Sequence, residues 1–211
     1  MEKFNVNYHS SICVNGDVYI DPLEIEGEPH NAKALLLTHG HWDHYSKQDV
    51  LKVINENTVI LAPVEVARQL KADGIQNEMI IACALGKYDV AGIKVGVFAS
   101  YNIDKKYHPK DAGGVGYLFE VDGVKYAVCG DSDLTPELSE IRCDVLFVPV
   151  GGTYTMNGEE AAKLANLIKP KMAVATHYKW AKQDGTFYDG TTEKTNFTRD
   201  LNPDIRVITF S

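Results

Sequence analysis

Apolar and polar positions along this chain follow two different periods, and the switches between them lay out its elements. Ile12 to Ile20 alternates at a period of two around Asn15-Gly16, a pair favoured in two-residue hairpin turns, and the run stops at Asp21-Pro22. Ala34-Leu35-Leu36-Leu37 is short, continuous and apolar, as a strand buried on both faces requires. Val50, Leu51, Val53 and Ile54 then follow helical spacing behind Ser46 and Asp49, the pattern of a capping box. A strand at Thr58 to Ala62 meets Pro63, read as the first residue of a helix that reaches Asp73 and stops at Gly74.

The middle of the chain is β-rich. Strands are expected near Met79 to Ala82, Tyr88 to Val90, Ile93 to Ala99, Val115 to Val121 and Val124 to Cys129, the last two joined at Asp122-Gly123. Val145 to Val150 reads as a buried strand, and Asn157 with Glu160 caps a helix over Glu159 to Ile168 that ends before Pro170. Strands at Met172 to Thr176 and Ile205 to Phe210 close the chain. No repeat or low-complexity linker divides it, so the pattern predicts one domain over residues 1–211, of α/β (α+β) class, with two β-rich halves each faced by helices.

Composition narrows what such a domain can do. The chain has 211 residues, 45% of them hydrophobic, and a net charge of −8, which argues against general affinity for nucleic acid or anionic lipid. No run approaches the ~20 apolar residues of a membrane span, and Met1-Glu2-Lys3-Phe4-Asn5 lacks a signal-peptide core, so a cytoplasmic protein acting on a small molecule is expected. Cys13, Cys83, Cys129 and Cys143 form no Cys-x-x-Cys pair and read as buried thiols; only Cys129, two residues before Asp131, has a position suited to a metal.

The candidate chemistry is concentrated in Thr38-His39-Gly40-His41-Trp42-Asp43-His44, directly after the buried Leu35 strand. Imidazole and carboxylate are ligands for borderline divalent metals, and alternation along an extended loop lets His39 and His41 face one ion while Asp43 and His44 face another. His108, Asp131 and His177 lie in strand-end loops, where polar groups converge without the cost of core burial. Five histidines and two aspartates divide between two ions: His39, His41 and His108 on one, Asp43, His44 and His177 on the other, Asp131 bridging.

These motifs resemble the metallo-β-lactamase superfamily, marked by Thr-His-x-His-x-Asp-His, and most of all uncharacterised bacterial metal-dependent hydrolases of that fold. Asp21-Pro22, Gly130-Asp131-Ser132, Pro149 to Met156, Lys169-Pro170-Lys171 and His177-Tyr178 match further segments of those proteins, so the similarity spans nearly the whole chain. It implies a four-layer αββα sandwich and carries His39, His41, Asp43, His44, His108, Asp131 and His177 over as metal ligands. The chain departs from the pattern at Val128, where relatives often have His, at Tyr8, where they have Gly before the N-terminal His, and at Ala175-Thr176.

Two divalent ions about 3.5–4 Å apart would supply hydroxide at neutral pH, with Asp43 orienting the nucleophile. Zinc is expected first, with manganese or iron as alternatives. Tyr154, Tyr178, Lys179 and His9 are candidate substrate contacts, and Lys105, Lys106 and Lys110 around His108 form a basic patch suited to an anion. That patch ranks phosphodiester hydrolysis first and lactone, ester or thioester hydrolysis second. Di-iron redox chemistry, whose proteins place Glu where His41 stands, and a non-catalytic metal-binding module are the alternatives of other classes.

Overall fold

A computed structural model describes residues 3–181 and 186–210, which divide into two compact units, the first ending at Val97 and the second beginning at Phe98. The first begins with three antiparallel strands, β1 (Phe4–Tyr8), β2 (Ser11–Val14) and β3 (Val18–Ile20). Asn15 and Gly16 turn the chain between β2 and β3 with φ of 54° and 86°, the left-handed conformation that this residue pair tolerates. There follow β4 (Ala34–Leu36), α1 (Lys47–Val53), β5 (Val59–Pro63), α2 (Val64–Ala72) and β6 (Ile80–Cys83).

Strands β3 to β6 pair in parallel, in the order β1-β2-β3-β4-β5-β6. Parallel neighbours need crossovers, and α1 and α2 supply two of them while burying Val50, Val53, Val66, Ala67 and Leu70 with Leu35, Leu37, Ile60 and Ala62. Coverage on both faces explains the unbroken apolar run at Ala34 to Leu37, where every residue is at most 1% exposed. A hairpin of β7 (Gly86–Val90) and β8 (Ile93–Ala99) completes the unit and leads into the second.

Two expected boundaries shift. Ser46 caps α1 by accepting from Asp49 N at 3.2 Å, but the Asp49 carboxylate does not reach back as a capping box would. It binds the backbone N–H groups of Glu24 and Ile25 and the Lys52 ammonium, tying the preceding loop to the helix. Pro63 ends β5 with an extended backbone, and α2 starts at Val64.

The second unit contains β9 (Val115–Val121), β10 (Val124–Val128), α3 (Pro136–Ser139), β11 (Val145–Pro149), α4 (Gly158–Ile168) and β12 (Met172–Thr176). It ends with the hairpin β13 (Lys179–Ala181) and β14 (Phe187–Asp189), then α5 (Thr191–Asp200) and β15 (Arg206–Ile208). Its strands run β9-β10-β11-β12-β15, antiparallel at β9–β10 and parallel thereafter.

Helix α4 carries the complete capping box expected from Asn157 and Glu160, with reciprocal bonds of 2.8 and 3.0 Å. Helix α5 has no counterpart in the periodicity, because only Phe197 along it is buried. It is held instead by close packing on α4: a Cβ on Gly158 would lie 2.0 Å from Glu193 O, and the Glu193 carboxylate accepts from Gly158 N at 2.8 Å. Cys129 lies within the apolar cluster under α4, where burial pushes its thiol far above the ordinary range, so the suggested metal role is corrected to core packing.

Candidate metal centre: histidine and aspartate clusters in each unit

In the first unit, the chain leaves β4 through buried Leu37 and Thr38 and turns sharply. His44 N and Tyr45 N both donate to His41 O, at 2.9 and 2.8 Å, which folds the motif back so that the His39 and His44 rings lie 4.1 Å apart and those of His39 and His41 4.8 Å apart. His9, in the turn between β1 and β2, is 2% exposed and places Nε2 3.2 Å from Asp43 Oδ2. The ligand-type atoms of His9, Asp43 and His44 all lie within 4.8 Å of one another, as do those of His39 and His41.

Asp21, at the end of β3, organises this cluster. Its carboxylate accepts from Thr38 N at 2.8 Å, Thr38 Oγ1 at 2.6 Å and His44 Nδ1 at 2.8 Å. Burial pushes the carboxyl above the usual range, and the hydrogen bonds from His44 and Thr38 pull against that rise. A carboxylate only accepts, so His44 Nδ1 carries the hydrogen. The single Thr38 hydroxyl hydrogen also goes to Asp21, so Thr38 Oγ1 accepts from His39 Nδ1 at 3.0 Å. Both rings are thereby fixed in the tautomer whose lone pair sits on Nε2, and both Nε2 atoms are buried. This is how a carboxylate or hydroxyl behind an imidazole prepares it for a metal. Asp21 is not among the ligands that the sequence motifs offer; its signal there is the Asp-Pro strand end.

In the second unit, the candidate ligands come from three loops. Asp131 follows β10 through Gly130, where φ is +64° and an added Cβ would lie 2.7 Å from Val115 O and 2.8 Å from Ser100 Oγ. Asp131 Oδ2 is met by His177 Nε2 at 2.9 Å and His108 Nε2 at 3.3 Å. His177 follows β12, and Gly151 is required beside it, since a Cβ there would fall 2.3 Å from His177 O. Left-handed backbone recurs at these positions: φ is +53° at His9, +44° at Asp21, +58° at His108 and +57° at His177. Such conformations cost of order 1 kcal/mol or more per residue and persist only where surrounding structure imposes them.

The other expected contacts separate clearly. Lys105 is bonded to the Asp133 carboxylate and Thr155 O. Lys110 pairs with Glu137 at 2.9 Å, lies 4.4 Å from the Tyr101 ring centre, and holds the Glu137 carboxyl at about 2. Lys106 is exposed, 5.5 Å from the Tyr107 ring centre. The Tyr154 ring meets Tyr107 edge-on at 5.1 Å, and Lys179 sits 6.0 Å from the Phe187 ring centre. Tyr178 is 1% exposed with its hydroxyl bonded to the Phe210 backbone, so it is a packing residue and not a substrate contact. His9, an expected substrate contact, is buried with its Nε2 against the Asp43 carboxylate.

Comparison with known proteins agrees with this chemistry. The model of the Beta-lactamase superfamily domain matches residues 9–177, a span bounded by His9 and His177. The UPF0173 metal-dependent hydrolase of Methanoregula boonei is 32% identical over 188 residues, which cover 82% of this chain and 81% of that protein. Igni18, a novel metallo hydrolase from the hyperthermophilic archaeon Ignicoccus hospitalis, superposes with a TM-score of 0.73 at 20% identity over 100% of this chain and 95% of that one. An isothiocyanate hydrolase from Delia radicum gut bacteria does so with a TM-score of 0.72 at 14% identity, over 98% and 95%. At these identities the structural likeness speaks for the fold.

Proposed function

The chain belongs to the Beta-lactamase superfamily domain family and is a metal-dependent hydrolase of the metallo-β-lactamase fold, and from that premise we propose that it cleaves a neutral ester or lactone with two divalent ions, zinc first. In this reading His39, His41 and His108 hold one ion, Asp43, His44 and His177 the other, and Asp131 serves both. The donor set supports it: imidazoles and carboxylates suit zinc, manganese or iron, and the Asp21–Thr38 network presets two rings to offer Nε2.

When bound, such ions lower the pKa of water and polarise the scissile carbonyl. The chain's own residues do the positioning. Asp21 and Thr38 keep His39 and His44 in their tautomers, and Asp43, steadied by His9, orients the attacking water.

The observation that carries the choice of substrate is the state of the lysines. A phosphodiester preference rests on Lys105, Lys106 and Lys110 acting together on an anion, yet Lys105 and Lys110 spend their charge on Asp133 and Glu137. Of these three lysines, Lys106 alone has no carboxylate partner among the ion pairs of the described residues, in a chain of net charge −8. Apolar surface lies beside candidate ligands in each unit: Trp42 is 41% exposed, Ile103 57% and Tyr107 45%. A neutral, partly apolar substrate suits such lining better than a charged one.

Assay of the zinc-reconstituted protein against an aryl ester, a lactone and a phosphodiester tests the reading. The expected result is kcat/KM on an ester or lactone at least about tenfold above that on the phosphodiester, a difference of ~1.4 kcal/mol in barrier. A phosphodiester cleaved fastest would overturn it. Elemental analysis without bound zinc, manganese or iron after reconstitution would sink the metal pair itself.

A further inference from the structure

The segment between β8 and β9 holds His108, and its fastening is mainly polar. Ser100 N donates to Gly114 O at 3.0 Å and Asn102 N to His108 O at 2.7 Å, closing a short loop over residues 102–108. Within it Ile103, Asp104, Lys106 and Tyr107 are exposed, and the aromatic contact of the loop among the described residues is the edge-on one of Tyr107 with Tyr154, so polar ties carry most of its fastening. Lys105 is the one residue of 103–107 that turns inward, its side chain 26% exposed.

The Lys105 ammonium lies between the Asp133 carboxylate, itself 10% exposed, and Thr155 O. The other Asp133 oxygen accepts from Ile103 N at 2.9 Å, and Asn102 Nδ2 donates to Tyr107 O at 2.9 Å and Tyr154 O at 2.6 Å. The loop is therefore tied at two levels to the segment after Asp131 and to the Tyr154–Thr155 segment. His108, three residues beyond Lys105, holds a left-handed backbone, and its carbonyl accepts from Asn102 N across the loop.

We propose that Lys105 is a positioning residue, whose ammonium rivets the 102–108 loop to Asp133 and so sets His108 against Asp131. An isolated exposed ion pair would contribute little, but this one is partly desolvated, shares Asp133 with a backbone N–H of the same loop, and adds a carbonyl acceptor. The consequence for metal rests on the ligand role proposed above for His108; the consequence for loop order does not.

Lys105→Met keeps the aliphatic stem and removes the charge. In zinc competition with a chelator, this variant is expected to weaken one ion by roughly tenfold and leave the other unchanged, the scale of lost outer-shell support. His108→Ala should weaken the same ion, and the double variant should lose no more than His108→Ala alone, because both changes act through one ligand. Asp133→Asn, a second route to the same break, should reproduce the pattern.

In the metal-free protein, amide hydrogen exchange over residues 102–108 should accelerate in Lys105→Met while β9 to β12 exchange as in the wild type. Wild-type affinity for both ions in Lys105→Met and Asp133→Asn while His108→Ala weakens one, additive losses in the double variant, or unchanged exchange over 102–108 would each overturn the proposal, whereas His108→Ala with both ions held at wild-type affinity overturns only the ligand role of His108. A wild-type protein that takes up no zinc defeats the metal reading instead, and the exchange measurement still decides whether Lys105 orders the loop.

Discussion

The two units present the same kinds of side chain by opposite means. In the first, His39, His41, Asp43 and His44 come from one tight turn after one buried strand, and a single carboxylate, Asp21, governs two of the rings through Thr38 and His44. In the second, His108, Asp131 and His177 come from three separated loops, and what brings them together is close backbone approach at Gly130 and Gly151 together with polar ties between loops. The contrast teaches that a local ligand cluster is stiffened by a hydrogen-bond network, whereas a distributed one needs steric fit at the backbone in addition to polar ties between its loops. Each mode has its own weak point.

The sharpest break is expected at Asp21. Asp21→Ala leaves the buried Thr38 N–H, the Thr38 hydroxyl and His44 Nδ1 without their shared acceptor, at a cost of about 3 kcal/mol. Urea unfolding of the metal-free variant measures it. A loss of a few tenths of a kcal/mol would mean that the first cluster does not depend on this network.

Glycine substitutions should then separate the two modes. Gly130→Ala places a Cβ 2.7 Å from Val115 O at a φ of +64° and is expected to cost roughly 2 kcal/mol. Gly40→Ala, inside the first motif, meets nothing nearer than 3.6 Å and should cost under about 0.5 kcal/mol. Equal losses in the same denaturation experiment would erase the distinction between network and steric fit.

The smallest effect concerns the outer end of the His108 loop. Glu137, held at about 2 by Lys110, titrates below its ordinary value of ~4.3, so the pair stabilises the folded state above that ordinary value. The contribution is lost as pH falls through about 2, and for so exposed a pair solvent screening keeps it small. Melting curves of wild type and Glu137→Gln should differ slightly at pH 6 and converge near pH 2 or in 1 M salt, where the Debye length is ~3 Å. A difference that persists at both would assign Glu137 a role other than this pair.

What could be read from residues in order was whatever local spacing controls. The buried strand before the motif, the hairpin turns at Asn15-Gly16 and Asp122-Gly123, the capping box of α4 and the ligand-bearing turn after Thr38 each depend on neighbours within a few positions. The elements and roles left to tertiary structure depend on distant partners. Helix α5 has a weak apolar face and exists through its contact with α4; Asp21 finds Thr38 and His44 17 and 23 residues away.

Lys105 makes the limit plain. Along the chain it stands in a basic patch, and only folding brings Asp133, 28 residues on, to take its charge. Sequence by itself determined the chemical inventory and the local turns, because covalent spacing sets which groups can share a turn or a helix face. Tertiary structure alone decided which charges cancel, which tautomers are held and which loops meet, because those depend on distances between segments that covalent spacing does not constrain.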